Sequence, residues 1–167
     1  MHAGDVADRW FLKIDGIPGE STDAVHKDEI DVQSWSWGVH NETGPSGAGT
    51  GSGAAKPDFD DFFFVSRVSK ASPPLFLACA TGTHIKEANL SGVRDVGKAK
   101  GADYLKYRLR DVTVSNFRQG DSEDGLPMDQ FALSYSKIEI SYSPQSPSGK
   151  LQPPISAGFD AKSNKKL

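Results

Sequence analysis

This 167-residue chain has a single cysteine, no long apolar run and no excess of basic residues. Each of these features excludes a kind of structure or partner. A lone cysteine, Cys79, excludes an intrachain disulfide, and no apolar run reaches the length that spans a bilayer. The start, MHAGDVADRWFLKIDG, lacks the basic and apolar regions of a signal peptide. The formal net charge of −3 gives no support for nucleic acid or an anionic membrane as a partner.

Sequence motifs for catalysis or metal binding are also missing. The acidic cluster at residues 58–61 lacks the glycine and the distal glutamate of an EF-hand calcium loop, and no serine-nucleophile motif is found. The histidines show no metal-ligand spacing, and each is predicted to lie in a turn or at the surface: His2, His26, His40 and His84. We therefore predict no catalytic residue, no cofactor and no metal, and a structural or binding role rather than an enzyme.

Glycine is concentrated in one segment, GPSGAGTGSGAAKP, which raises the question of a phosphate-binding loop. A P-loop needs a lysine that follows a glycine and precedes serine or threonine. Here Lys56 follows Ala55 and precedes Pro57, and the glycines alternate with a period of two. The segment is therefore interpreted as an extended glycine-rich loop over residues 43–56 and not as a nucleotide site.

Alternation of apolar and polar residues dominates the rest of the chain and predicts an all-β fold. In EIDVQSWSWGV, Ile30 and Val32 fall on one phase, whereas Trp35 and Trp37 fall on the other. A change of phase within one strand is the mark of a β-bulge or a sharp twist, because either moves the core face by one residue. We expect one at Gln33.

Two further stretches, residues 105–114 and 131–142, show the same change of phase, and each is interpreted as one long irregular strand. Three such changes indicate a strongly curved sheet, as in a small antiparallel β-barrel or a bent sandwich. Turn-forming residues between strands are found at residues 15–19, 97–101 and 120–127. A single domain is expected for a chain of this length.

One side helix is predicted over residues 72–81. Ser72 is expected to be its N-cap, Pro73 to take the first helical position, and Gly82 to end it in the left-handed conformation. The residues between them are apolar on every side: Leu75, Phe76, Leu77, Ala78, Cys79 and Ala80. A helix on a lone barrel should have one polar face. Either a neighbouring subunit covers the outer side of this helix, or the helix is sunk in its own core.

Five segments, taken in order along nearly the whole chain, resemble the haemolysin-coregulated protein (Hcp) family, the tube proteins of bacterial type VI secretion systems. They are FLKIDGIPGES (11–21), HKDEIDVQSWSWGV (26–39), KASPPLFLACATGTHIKEANL (70–90), DYLKYRLRDVTVSNF (103–117) and SYSKIEISY (134–142). The ending AGFDAKSNKKL (157–167) is also similar to that family. Two parts depart from it: the first eight residues, expected to be a flexible start, and residues 93–105, whose hairpin contacts are left open.

The resemblance implies one Hcp-like β-barrel domain over residues 1–167. Six copies would form a ring, and stacked rings would form a tube inside a contractile sheath. The tube would leave the bacterial cytoplasm with a spike, without a signal peptide and without inserting into a membrane, and would carry effectors in its lumen. The partners implied are therefore further copies of this chain and the sheath, spike and effector proteins.

The resemblance also assigns roles to particular residues. Ser36, on the opposite face of its strand from the two tryptophans, is a candidate for the channel wall. The side helix would lie at the subunit interface through Leu75, Phe76, Leu77 and Cys79. The glycine-rich loop would contact the neighbouring ring, through Thr43, Gly47, Gly49, Gly51, Gly53 and Lys56.

Two alternatives to a ring remain open at this stage. The chain is also compatible with a monomeric β-sandwich that binds a ligand such as a sugar, with Trp35 and Trp37 as a stacking platform. The glycine-rich segment is also compatible with a tolerated surface insertion. The oligomeric state separates the ring from the monomeric binding module.

Overall fold

The computed structural model describes residues 8–42, 56–96 and 99–167. Within them the chain forms one helix, α1 at Ser72–Thr81, and a series of strands. The strands are β1 Arg9–Ile14, β2 Ile30–Ser36, β3 Val39–His40, β4 Asp58–Phe59, β5 Phe62–Arg67, β6 Ile85–Val96, β7 Ala99–Asp121, β8 Pro127–Ser134, β9 Lys137–Tyr142, β10 Ile155–Asp160 and β11 Lys165–Lys166.

Six of these strands close into an antiparallel barrel. Their order is β7-β6-β1-β2-β5-β8, and β8 pairs again with β7, which completes the circle. Strands β9, β10 and β11 extend the sheet outward from the first half of β7. The expected all-β fold with one side helix, a small antiparallel barrel, is confirmed.

Strand β7 supplies both the closure and the extension because it changes partner part-way along. Its residues 105–110 pair with β9, and its residues 113–121 pair with β8. Between the two halves lies Asp111 at φ 54°, a left-handed conformation that few non-glycine residues adopt. This single residue produces the change of phase that the sequence shows between Leu109 and Val112, both of which are buried.

The other two changes of phase have different outcomes. The bulge expected at Gln33 is confirmed, because the β2–β5 register shifts between Val32 and Ser34. The interpretation of residues 131–142 as one slipped strand is wrong. Strands β8 and β9 are separate, and the Ser136 backbone N–H between them donates to the Arg110 carbonyl at 3.0 Å.

The barrel interior is filled mainly by aromatic and branched side chains. Phe62, Phe64 and Phe131 are fully buried. The Phe62 and Phe64 rings stack with centroids 4.9 Å apart, and Phe64 stacks on Phe131 at 5.2 Å. Burying one such side chain stabilises a fold by about 1.5–3 kcal/mol. Strands β5 and β8 therefore carry much of the core.

The helix follows the sequence prediction at its end but not at its beginning. Gly82 has φ 62°, and its N–H donates to the Cys79 carbonyl at 3.3 Å, as expected for a left-handed helix end. Ser72 is not the N-cap: Ala71 is, and Ser72 lies inside the first turn. The Ser72 hydroxyl instead donates to the buried carboxylate of Asp129 on β8, so a tertiary contact replaces the cap.

The predicted flexible start is corrected at its last residue. The Asp8 carboxylate accepts two hydrogen bonds from the Arg94 guanidinium, both at 2.9 Å, and one from the Tyr104 hydroxyl. The bonds from Arg94 hold the pKa of Asp8 below its usual value despite burial. Burial, together with the bond to Asp8, raises the pKa of Tyr104 to about 12. Residues 1–7 lie outside the described part of the chain.

The same contacts define much of the hairpin between β6 and β7. Val93 pairs with Asp103, and Arg94 pairs with Ala102. The Arg94 guanidinium lies 4.0 Å from the centre of the Tyr104 ring, a cation–π contact across the hairpin. The register shifts twice here, first between Gly92 and Val93. A Cβ atom on Gly92 would lie 2.4 Å from the Trp10 ring, so this strand needs glycine there.

Candidate assembly surfaces

The outer side of helix α1 is an exposed apolar surface. No residue from Ser72 to Thr81 is charged. Leu75 is 1% exposed and packs into the barrel core, whereas Phe76 and Leu77 are each 58% exposed. Cys79 is partly buried against the core. The alternative of a helix sunk in its own core is therefore wrong, and the candidate interface narrows to Phe76, Leu77 and part of Cys79.

A neighbouring strand and loop extend this apolar surface. Val68, which precedes the helix, is 39% exposed. The Phe117 ring on β7 lies 6.4 Å from the Phe76 ring. These three side chains line one open hollow of about 490 Å³. Sequence periodicity did not identify Val68 or Phe117 as part of this apolar surface, because neither residue belongs to the helix.

A buried polar contact fixes the helix to the barrel beneath this surface. Asp129 is 1% exposed. One of its oxygens accepts from the Ser72 hydroxyl, and the other accepts from the Gln119 side-chain amide at 2.7 Å. The Ser72 hydroxyl oxygen also accepts the Ser69 backbone N–H at 3.0 Å. The first helical turn is thus attached to β7 and β8, which sets the position of Phe76 one turn later.

Ser36 lies on the outward face of the wall formed by β2, β5, β8 and the second half of β7. It pairs opposite Phe63, which pairs with Ala132, which in turn pairs with Asn116. Ser36 and Asn116 are exposed, and Phe63 is 37% exposed. This row of mostly small and polar side chains is compatible with a wet channel wall, and the assignment of Ser36 to such a wall stays a prediction.

The two tryptophans flanking Ser36 face the opposite way. The Trp35 ring packs edge-on against Trp10 at 5.0 Å and against Tyr107 at 5.1 Å. The Trp37 ring stacks on Phe62 at 6.0 Å. Both tryptophans are partly buried against the core. They are therefore not a free stacking platform for a sugar.

Strands β3 and β4 form a two-stranded ribbon at the two ends of the glycine-rich segment. Val39 pairs with Phe59, and the Asp60 backbone N–H donates to the Gly38 carbonyl at 2.9 Å. The Phe59 ring stacks on Phe159 of β10 at 5.7 Å. Lys56, at the base of the ribbon, is exposed. Residues 43–55 lie outside the described part of the chain, so the roles of Thr43, Gly47, Gly49, Gly51 and Gly53 stay predictions.

His26 is the functional candidate that sequence reasoning missed. It is 6% exposed rather than at the surface. Its two ring nitrogens lie 2.7 Å from a carboxylate oxygen of Glu29 and 2.7 Å from one of Asp103. Glu29 is three residues away, but Asp103 is 77 residues away, so only the first contact leaves a signal in the sequence.

The residues described contain neither a metal-ligand cluster nor a helix long enough to span a membrane. No group of three or more histidine, cysteine, aspartate or glutamate side chains within residues 8–42, 56–96 and 99–167 is arranged to hold a metal ion. The one helix in those ranges is too short to cross a bilayer.

Comparison with known proteins agrees with this fold. The family model described as "Type VI secretion system effector, Hcp" matches residues 11–142. Protein hcp1 of Pseudomonas aeruginosa is 35% identical over 157 residues, which cover 92% of this chain and 95% of that protein. The chain belongs to the Hcp family. Hcp proteins are structural components of type VI secretion.

Solved Hcp structures share the whole fold. Hcp1 of Salmonella typhimurium is 37% identical, with a TM-score of 0.78 over 96% of this chain and 99% of that one. A second type VI secretion protein has a TM-score of 0.87 at 26% identity, over 96% and 100%. A type VI effector of Yersinia pestis is 33% identical, with a TM-score of 0.70 over 90% and 98%. The sugar-binding alternative finds no support in these comparisons.

Proposed function

We propose that this chain is the structural subunit of a type VI secretion tube, assembled from rings of six identical copies, and that it acts without catalysis. The observation that carries the proposal is the uncharged helix α1, which leaves Phe76 and Leu77 each 58% exposed on an Hcp barrel. Exposed apolar patches on a soluble fold mark sites of protein association. Membership of the Hcp family supports a second copy as the partner.

The ring has to be heterologous if the helix is at its interface. The helix lies on one side of the barrel, and a closed ring joins two different surfaces of each subunit. Six copies related by one rotation axis would bury every outer helix face equally. The tube would travel with sheath and spike proteins and would be exported from the bacterial cytoplasm without a signal peptide.

Two further surfaces have roles within this proposal. Ser36 and the row it shares with Phe63 and Asn116 would line the channel, where effector proteins pass. The glycine-rich segment, residues 43–56, would contact the neighbouring ring. The β3–β4 ribbon supports this role, because its two strands hold the two ends of the segment side by side. Glycines accept backbone angles closed to other residues but lose more entropy on ordering, which docking has to offset.

Native mass is the first test of the ring. Light scattering on the untagged chain is expected to give about six times the 18.0 kDa subunit mass. Phe76→Glu should convert the ring to monomers, because a carboxylate cannot be buried against an apolar neighbour without a large desolvation cost. Leu126→Glu is the control: Leu126 is a comparably exposed leucine in the β7–β8 turn, at 42%, and its change should leave the mass unaltered.

Electron microscopy of the same material tests the orientation. Rings with Ser36 on the inner wall and residues 43–56 at the contact between stacked rings would support the full assignment. A stable monomer in the unmodified protein would refute the ring. Rings that persist in Phe76→Glu would refute the helix as the interface while leaving the ring itself in place.

A further inference from the structure

The connection between β1 and β2, residues 18–29, forms a strap across the outer face of the barrel. Leu12 points into the core, and its neighbour Phe11 points out, yet Phe11 is only 3% exposed. The strap covers it, because the His26 ring stacks on Phe11 with centroids 4.9 Å apart and planes 8° apart. The polar His26 ring thus shields the apolar Phe11 ring from solvent on the outer face of the barrel.

The strap is folded on itself and is held to the barrel at few points. Within it, the Gly19 N–H donates to the Asp28 carbonyl at 2.7 Å, and the Asp28 N–H donates to the Ser21 carbonyl at 2.9 Å. These bonds join residues of the strap to each other and not to the barrel, so loosening of the strap is a local opening in which its own amides exchange with solvent. One outer attachment is the ion pair of Lys70 with Asp28 at 4.0 Å, between two side chains that are more than half exposed, and such pairs are weak. Another is Arg9 with Asp23 at 3.1 Å, in which the Asp23 side chain is 16% exposed.

The buried attachment is His26. Its Nδ1 lies 2.7 Å from a Glu29 oxygen within the strap, and its Nε2 lies 2.7 Å from an Asp103 oxygen on β7. Two nitrogen-to-carboxylate contacts at this distance need two hydrogens, but a neutral imidazole carries one N–H. The second hydrogen is an added proton, on the ring or on a carboxyl group. The closed strap therefore holds one proton more than a neutral histidine beside two carboxylates.

We propose that residues 18–29 are a proton-dependent latch: His26, Glu29 and Asp103 take up one proton when the strap closes on Phe11, and the strap loosens as the pH rises. Two partly buried carboxylates facing a neutral ring would leave one nitrogen lone pair against a carboxylate oxygen. That arrangement is repulsive, and opening the strap relieves it by hydrating both groups.

Other charged groups around the latch do not change this hydrogen count. Lys106 lies 3.6 Å from Asp103 on β7, and Lys13 on β1 acts on Glu29. The Asp23 carboxylate accepts the His26 backbone N–H at 3.0 Å. Strand β2 adds Asp31 opposite Phe11, and β6 adds Ser91, which does not titrate. Arg9 lies 6.0 Å from the Phe11 ring and 3.7 Å from Asp95. None of these cations donates a hydrogen to the imidazole, whose two ring nitrogens face Glu29 and Asp103.

The direction of the pH effect follows from the raised pKa of His26. Burial alone lowers that pKa, but the hydrogen bonds to Asp103 and Glu29 outweigh burial. Burial also raises the pKa of Glu29. The stabilisation of the closed strap by this proton is therefore fully present below about pH 6.5, the unperturbed pKa of histidine. It weakens as the pH rises through the folded pKa, by up to about tenfold in the closure equilibrium per pH unit, or roughly 1.4 kcal/mol.

Two contacts connect the strap to the segment that leads into helix α1. The Glu20 carboxylate accepts the Lys70 backbone N–H at 3.4 Å, and Asp28 lies 4.0 Å from the Lys70 ammonium group. Lys70 lies two residues before the first residue of the helix and directly before its N-cap, Ala71. The latch inference itself does not depend on ring formation, because each of its contacts lies within one chain.

Hydrogen exchange of the strap amides of Ser21 and Asp28 between pH 6.5 and 8.5 tests the latch on the full chain. In the unmodified protein, protection factors are expected to fall with pH by up to about tenfold per unit. Glu29→Gln should abolish that slope, because the amide group donates to Nδ1 and no added proton is needed. His84→Gln is the control: His84 is an exposed histidine 3.3 Å from Asp111, and its replacement should leave the slope unchanged.

The histidine pKa values, measured by NMR in the unmodified protein, provide a second test that needs no variant to fold. A His26 pKa above 6.5 supports the latch. A His26 pKa at or below 6.5, with neither carboxyl group of the latch titrating above pH 6.5, overturns it. A pH slope in Glu29→Gln as steep as that of the unmodified protein also overturns it.

Discussion

The two sides of helix α1 have the same kind of side chain and opposite surroundings. Leu75 on the inner side is 1% exposed, and Leu77 on the outer side is 58% exposed. No charged residue lies within the helix to distinguish them. The apolar composition of a helix therefore indicates how much of its surface must be buried. It does not indicate whether the same chain or another molecule buries that surface. The inner side is covered by this chain, and in the proposed ring a second copy covers the outer side.

Truncation of the inner side is expected to have the largest effect. Leu75→Ala should lower the free energy of unfolding by about 2–5 kcal/mol, because it removes buried surface and leaves a cavity in the core. Denaturant unfolding of the dilute, monomeric chain measures this loss. Leu75→Met, which keeps the volume, is the control and should cost less than about 1.5 kcal/mol. A Leu75→Ala loss below 1 kcal/mol would contradict the division between the two sides.

Removal of the polar contact beneath the helix should have an intermediate effect. Asp129→Ala leaves the buried Ser72 hydroxyl and the Gln119 amide without their acceptor, at a cost of about 1–3 kcal/mol. Asp129→Asn should recover most of that loss, since it keeps an acceptor for Ser72 and the Gln119 amide is free to rotate. The same unfolding measurement applies. Equal losses in the two variants would assign the effect to charge rather than to hydrogen bonding.

Truncation of the outer side is expected to have the smallest effect on the single chain. Leu77→Ser should change the free energy of unfolding of the monomer by no more than about 0.5 kcal/mol, as is usual for exposed positions. Its native mass should nevertheless shift away from the ring. A large loss of monomer stability would mean that Leu77 belongs to the core. The contrast between the inner and outer sides of the helix would then not hold.

Residue patterns over a few positions were sufficient to predict where the helix ends and where strand β2 has its bulge. Gly82 ends the helix because a left-handed residue suits glycine, and the bulge at Gln33 follows from the shifted alternation around it. Each of these features depends on residues a few positions apart, so each leaves a mark in the sequence.

Contacts between distant segments were not predictable in the same way. Ser72 has the residue type of an N-cap, yet its hydroxyl bonds to Asp129, 57 residues away. His26 has the neighbours of a surface histidine, yet Asp103 buries it from β7. The stretch at residues 131–142 has the alternation of one strand, but β8 and β9 pair with different halves of β7. Which partner a strand takes is decided by the whole sheet, not by its own pattern.

The closure of β8 on β7 has a consequence for how this protein behaves at high concentration. A closed barrel hides the backbone groups of its wall, so the extended sheet ends at β11, among the residues described. That strand is two residues long, and both are exposed lysines, Lys165 and Lys166. Short, positively charged edges oppose the addition of a strand from another molecule. Where β11 pairs with Phe159 and Asp160 of β10, copies at high concentration are thereby protected from fibrous aggregation through this edge.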